Sequence, residues 1–177
     1  AVMKRELIAS LQKTFEDSKD IRSKFLRGVG GTSYGTLIRK LLQPSPESPI
    51  LLCGAGQLAH SIAPYFLDQP IWLWNRNPEK LNMLASKLKS MRPNANLQIV
   101  HESAWNKVDY AVVCTPIDFK LDDTRIPHWK GKRIVHMGCR RSDGSRWHQL
   151  QGVITLDDLF EYQNLQSNVR LIQADRA

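Results

Sequence analysis

Six short apolar runs punctuate the chain, separated mostly by gaps long enough for a helix. Ile50-Leu51-Leu52-Cys53, Ile71-Trp72-Leu73-Trp74 and Leu97-Gln98-Ile99-Val100 are the first three. Tyr110-Ala111-Val112-Val113-Cys114, Arg133-Ile134-Val135-His136-Met137-Gly138 and Gly152-Val153-Ile154-Thr155 complete the set. Each reads as a strand, and the fourth is continuously apolar, as a parallel strand covered on both faces should be. Val2, Met3, Leu7, Ile8, Leu11 and Phe15 predict an amphipathic helix over 2–17. Tyr34, Leu37, Ile38, Leu41 and Leu42 predict a second over 33–42, after a break at Gly28, Gly30 and Gly31. Pro44, Pro46 and Pro49 make a stiff linker that excludes a continuous helix. Pro78 is suited to the first turn of a helix running to about Met91. Thr155 is placed to cap a last helix from about Leu156 towards Arg170, with Asp157 and Asp158 where the helix dipole favours acids. Strands alternating with helices predict an α/β fold with a doubly wound parallel sheet. The chain divides into N-terminal helices and linker (1–49), the sheet domain (50–155) and a C-terminal connecting helix (156–177).

The first two strands frame a Gly-rich corner. Gly54, Gly56 and Ala59 follow the G-x-G-x-x-G/A pattern between a strand and a helix, with a second strand at the expected distance. That context makes the fold Rossmann-like and the corner a dinucleotide site. Gly54 allows the sharp turn, Gly56 lets a pyrophosphate approach the backbone beside Gln57 and Leu58, and Ala59 keeps the helix close to the sheet. NAD-binding versions end the second strand on an acid that holds the ribose 2′-hydroxyl. Here Asn75 and Arg76 stand in that place, followed by Asn77 and, one turn into the next helix, Lys80. A carboxylate would repel a 2′-phosphate, whereas arginine pairs with it through two charge-assisted bonds. NADP(H) is therefore the expected coenzyme. The loops after the first, second, fourth and fifth strands should converge on one crevice, since ligands of such sheets bind beyond the carboxyl ends of the strands.

Composition narrows the class further. At 177 residues with 42% hydrophobic content, the chain suits one domain with a sizeable core and an attached helix or two. No apolar stretch approaches the ~20 residues needed to span a bilayer, and Lys4, Arg5 and Glu6 interrupt any secretory apolar run. Three cysteines without metal-type spacing argue for a reducing compartment, and the expected location is cytoplasmic. The net charge of +8 is uneven, with nine Lys or Arg against four acids over residues 1–40 and eight against three over 120–146. It fits either a nucleic-acid surface, such as one for tRNA, or solubilising charge around an anionic coenzyme. No arginine-rich tract with interleaved aromatics is present, so composition favours the second.

The residues in order resemble the NADPH-binding domain of glutamyl-tRNA reductase, from about Gly28 to the end. Gly31-Thr32-Ser33-Tyr34 is similar to that family's Ser-rich segment, Leu51 to Gly56 to its strand and GAG turn, and Asn75-Arg76 to the start of its Asn-Arg-Thr signature. Tyr110 to Pro116 resembles its fourth strand. Arg141 matches the Arg of its Pro-Arg loop, and Leu156-Asp157-Asp158-Leu159 its Asp-Asp-Leu helix start. The resemblance implies that Cys114, Thr115, Pro116 and Gly138 line the nicotinamide end. It also implies a hydride supplied to a thioester, releasing glutamate-1-semialdehyde in tetrapyrrole (porphyrin) biosynthesis. The family's nucleophilic cysteine and its dimerisation segment lie in parts this chain lacks, so the chain is an excised domain or a short free-standing relative. Asn77, His136 and Arg140 replace the family's Thr, Asp and Pro. Shikimate dehydrogenases share the Gly turn and the Asn-Arg tail without the Asp-Asp-Leu helix. A nucleotide-binding or protein-interaction paralogue remains the further alternative.

No catalytic or metal-ligating set stands out. Cys53 reads as buried, Cys114 as a strand-end packing residue, and Cys139 as the cysteine best placed, beside Arg140 and Arg141, for a lowered thiol pKa, although an incidental loop cysteine is the favoured reading. His60, His101, His128, His136 and His148 lack metal-ligand spacing. His60, in the first turns of the dinucleotide-motif helix, reads as a surface or satisfied core residue, with a place near the pyrophosphate as the alternative, and His136, if buried, needs a hydrogen-bond partner. Trp72 and Trp74 share one strand face and should pack under a helix. Implied partners are a second copy through the terminal helices and, in a full reductase, charged tRNA; no membrane is implied.

Overall fold

The computed structural model describes residues 33–115, 129–144 and 146–174. The helix expected over 2–17 and the candidate Pro116 lie outside them. Six parallel strands run β1 (Ile50–Cys53), β2 (Ile71–Trp74), β3 (Leu97–Ile99), β4 (Tyr110–Val113), β5 (Arg133–His136) and β6 (Val153–Thr155). Their order in the sheet is β3-β2-β1-β4-β5-β6, a Rossmann-like arrangement whose direction of winding reverses between β1 and β4. Central position explains composition. Every residue of β1 and β4 is buried, whereas the edge strand β3 leaves Gln98 and Ile99 exposed.

Four helices are described: α1 (Tyr34–Leu42), α2 (Gln57–Ile62), α3 (Pro78–Met91) and α4 (Leu156–Ala174). The Ser33 hydroxyl accepts from the Thr36 N–H to cap α1. At its other end the Arg133 guanidinium donates to the Leu41 carbonyl at 2.6 Å, answering an orphan acceptor of the last turn. Asn77 caps α3 by accepting from the Lys80 N–H, with Pro78 in the first turn. Leu81, Leu84 and Leu88 recur at helical spacing on the buried side of α3. Residues of all four helices enter one core on one sheet face, with Leu37 and Ile38, Ala59 and Ile62, Leu84, and Leu159 as examples. The helix between β1 and β2 is shorter than the gap predicts. Ala63–Phe66 continues it as a 3₁₀ turn containing Pro64, whose missing N–H ends the α-helical ladder.

The opposite face is built differently. Leu51, Cys53, Ala111, Val113 and Ile134 project there against Trp105, Trp129, Cys139 and Trp147. Trp72 and Trp74 do share one strand face, but they pack into this cluster, to which none of the four helices contributes. Among the described residues their cover is therefore other aromatics from turns rather than a helix. The Trp105 ring lies 6.2 Å from Trp129 and 5.6 Å from Trp147.

Candidate functional site

The corner after β1 is tied to both neighbouring strands. The Gly54 N–H donates to the Trp74 carbonyl at 2.8 Å, and the Cys114 N–H donates to the Cys53 carbonyl at 2.7 Å. Gly54 has φ +113°, and an added Cβ would lie 3.2 Å from the Cys114 carbonyl carbon. Both the backbone angle and the close approach of the β4 end require glycine. Gly56 has a different reason. Its φ of −88° suits any residue, and a Cβ there would meet nothing within 4 Å. The backbone at Gly56 is exposed and unobstructed, directly before α2, whose start carries no side-chain cap. Gln57 is exposed, Leu58 is half-buried against the core, and Ala59 is fully buried beneath the helix.

Beyond β2, the Asn75 side-chain amide donates to the Asn77 carbonyl at 3.2 Å, while the Asn77 side chain caps α3. These two asparagines brace the turn that presents Arg76, and both Arg76 and Lys80 are exposed. No acid occupies residues 75–78, so the turn itself offers nothing to repel a phosphate.

At the ends of β4 and β5 the structure answers the cysteine and histidine questions. Burial pushes the Cys114 thiol up to about 12, so it is not a thiolate near neutrality. Thr115 beside it is half-buried. Cys139 is fully buried with its thiol donating to the Arg140 carbonyl at 3.8 Å, and Cys53 is buried in β1. His136 finds its partner in the loop: its Nδ1 accepts from the Gly138 N–H at 3.2 Å, which leaves the neutral ring protonated on Nε2. Gly138 is half-buried, with its backbone donor used in that contact. His60 is half-buried. Its Nδ1 is buried with no hydrogen-bond partner among the described residues.

Sequence reasoning missed what Arg140 and Arg141 do. The Arg141 backbone N–H donates to Asp157, and its guanidinium donates twice to Glu161 at 2.9 Å and once to Asp158. Arg140 pairs with Asp157 at 3.5 Å. The loop after β5 is thereby clamped to the start of α4. The signal lay in the acids at 157, 158 and 161, one helical turn apart, facing two adjacent arginines.

No family model and no curated relative matches this sequence. Among solved structures, the chain is similar to the nucleotide-binding domain of glutamyl-tRNA reductase from Thermoplasma volcanium. The identity is 22% and the TM-score 0.54, over 80% of this chain and 98% of that one. Glutamyl-tRNA reductase from Methanopyrus kandleri matches at 16% identity and TM-score 0.55, over 89% of this chain and 43% of that one. A shikimate dehydrogenase in complex with NADP+ matches at 14% identity and TM-score 0.53, over 75% and 52% respectively. The chain thus spans about half the length or less of the last two. At these identities the likeness shows the fold alone, a Rossmann-like α/β domain.

Proposed function

We propose that this chain is the NADP(H)-binding domain of a glutamyl-tRNA reductase-like oxidoreductase, holding the coenzyme for a substrate site formed elsewhere. The observation that carries the reading is the unobstructed Gly56 backbone at the reversal point between β1 and β4, where a Cβ would meet nothing. Gly54, Gly56, Gln57 and Leu58 border the pyrophosphate. Asn75 and Asn77 orient the turn, with Arg76 and Lys80 supplying charge for the 2′-phosphate. Cys114, Thr115 and Gly138 border the nicotinamide end. When bound, the coenzyme supplies a hydride. All three cysteines are withdrawn from nucleophilic work, by burial or by a raised thiol pKa, so an attacking thiolate comes from outside this chain.

The clamp between Arg141 and the Asp157-Asp158 helix start supports the reductase reading over one like shikimate dehydrogenase. Self-association through the terminal helices belongs to the same proposal, and Leu165 on α4 is 64% exposed. Sedimentation analysis tests it.

Calorimetric titration with NADPH and NADH tests the coenzyme reading, using Gly56→Ala as the control. Selective NADPH binding is expected, and it is lost in Gly56→Ala while stability changes by no more than about 1 kcal/mol. Unaltered NADPH binding in that variant, or no binding by the parent chain, overturns the assignment.

A further inference from the structure

A second, open feature lies between α2 and α3. It is a cleft of about 430 Å³ lined by Gln57, His60 and Ser61 from α2 and by Lys87 from α3. Every lining residue carries a hydrogen-bonding group, and none is an acid. Lys87 brings a full positive charge and is exposed, so its ammonium is not spent on packing.

His60 defines the donor pattern. With Nδ1 buried and lacking a partner among the described residues, the proton belongs on Nε2, because a bare buried lone pair costs less than an orphaned buried N–H. Burial first, and the nearby Lys87 ammonium second, hold the His60 pKa below its ordinary value. The ring is then a neutral Nε2–H donor close to a lysine. Ser61 has the opposite polarity. Its hydroxyl proton is donated to the Leu58 carbonyl at 2.8 Å, leaving lone pairs to accept. The cleft therefore offers one cation, neutral donors from the Gln57 amide and the His60 ring, and acceptors from the Ser61 hydroxyl and the Gln57 carbonyl. A hydrogen phosphate or phosphate monoester group, with several acceptor oxygens and at partial protonation one P–OH, complements that set.

We propose that the α2–α3 cleft is a binding site for a phosphate group, held by the Lys87 ammonium and oriented by Gln57, His60 and Ser61. The site stands independently of the coenzyme reading, although Gln57 borders both.

The test follows the His60 ring signals by NMR during titration with inorganic phosphate at constant ionic strength, with sodium chloride as the control. A saturable shift with phosphate alone is expected. Lys87→Glu should raise the phosphate dissociation constant at least about tenfold while leaving NADPH affinity unchanged. A parallel titration with glycerol 3-phosphate separates the sources: tighter binding of the ester assigns a phosphomonoester, and tighter binding of phosphate assigns the free anion. Shifts that do not saturate, or that survive Lys87→Glu at the same midpoint, overturn the site. So does loss of the phosphate response when NADPH saturates the protein, since the cleft would then belong to the coenzyme pocket. Failure of NADPH to bind, with the phosphate response intact, overturns the coenzyme reading alone.

Discussion

Arg141 and Glu161 meet through two parallel hydrogen bonds of 2.9 Å, joining the loop after β5 to the second turn of α4. The same guanidinium reaches Asp158, which also accepts from the Thr155 N–H and hydroxyl at 2.6 Å each. Because the Asp158 N–H points back to the Thr155 hydroxyl at 3.4 Å, the two residues form a reciprocal cap with aspartate at the third helical position. A single cluster thus fixes where β6 ends, where α4 begins and how the β5 loop lies. That loop contains Gly138, so the clamp acts on one wall of the candidate crevice.

Arg141→Met should loosen this junction without unfolding the sheet. The guanidinium is solvent-exposed, and exposed pairs contribute little to global stability. The expected outcome is faster amide exchange over residues 156–162, with the rates in β1 and β4 unchanged. Protection in α4 equal to that of the parent would show that the Thr155–Asp158 cap holds the helix start alone.

Acid should weaken the same contacts in a defined direction. The Arg141 bond holds the Glu161 carboxyl below its ordinary pKa. Burial alone would raise Asp158, but the bonds from Thr155 and Arg141 outweigh it, and its pKa is also lowered. Carboxylates depressed in the folded state stabilise it above their unfolded pKa, about 4, and lose that contribution as pH falls through the lower folded values. Asp158→Asn is therefore expected to be less stable than the parent in urea denaturation at pH 6. The gap should close towards pH 3, and a gap that stays constant with pH would contradict the account.

The strands were legible because each carries its own pattern. Leu51 and Leu52 are both buried since β1 lies at the centre of the sheet, and a sequence displays that as an unbroken apolar run. The α3 helix was legible from Pro78 and the Leu81-Leu84-Leu88 spacing. Trp105, Trp129 and Trp147 were not, because they come from three separate connections with no shared period and meet only once the sheet has formed. The turns that carry Trp105 and Trp147 are 3₁₀ segments, Glu102–Lys107 and Arg146–Gln149, too short to show periodicity. At the candidate site, Gly54 and Asn77 were visible as residue types, but the capping use of Asn77 became clear only with its bond to the Lys80 N–H. The clamp made by Arg141 was not legible because its acidic partners lie 16 to 20 residues downstream.

Gly54→Ala separates conformational need from ligand need. Its φ of +113° is strained for any side chain, and the new methyl would press on the Cys114 backbone at 3.2–3.3 Å. A stability loss of about 1–3 kcal/mol is expected, measured by chemical denaturation without coenzyme. A neutral outcome would mean that the turn relaxes freely and that the junction between β1 and β4 is softer than its hydrogen bonds indicate.

Arg76→Ala addresses coenzyme choice. Arg76 sits on an exposed turn braced by Asn75 and Asn77 and contributes nothing to the buried core. The variant should fold normally and bind NADPH more weakly by about 1–3 kcal/mol, the value of a hydrogen bond to a charged group. NADH affinity should not change. Equal losses for both coenzymes would remove Arg76 from the 2′-phosphate and transfer the selectivity to Lys80.

All five tryptophans of the chain gather on the sheet face opposite the four helices. Trp105 lies at the middle of the group, 2% exposed and in ring contact with both Trp129 and Trp147. Truncating it removes the shared neighbour of both rings, and Trp105→Ala is expected to cost about 3–5 kcal/mol. Trp105→Phe keeps an aromatic ring at the same place and should cost less. Because the remaining tryptophans lie on that face, their fluorescence should unfold together with the backbone signal from circular dichroism. Separate transitions from the two probes would show that the aromatic face and the helix-covered face are distinct cooperative units rather than two sides of one.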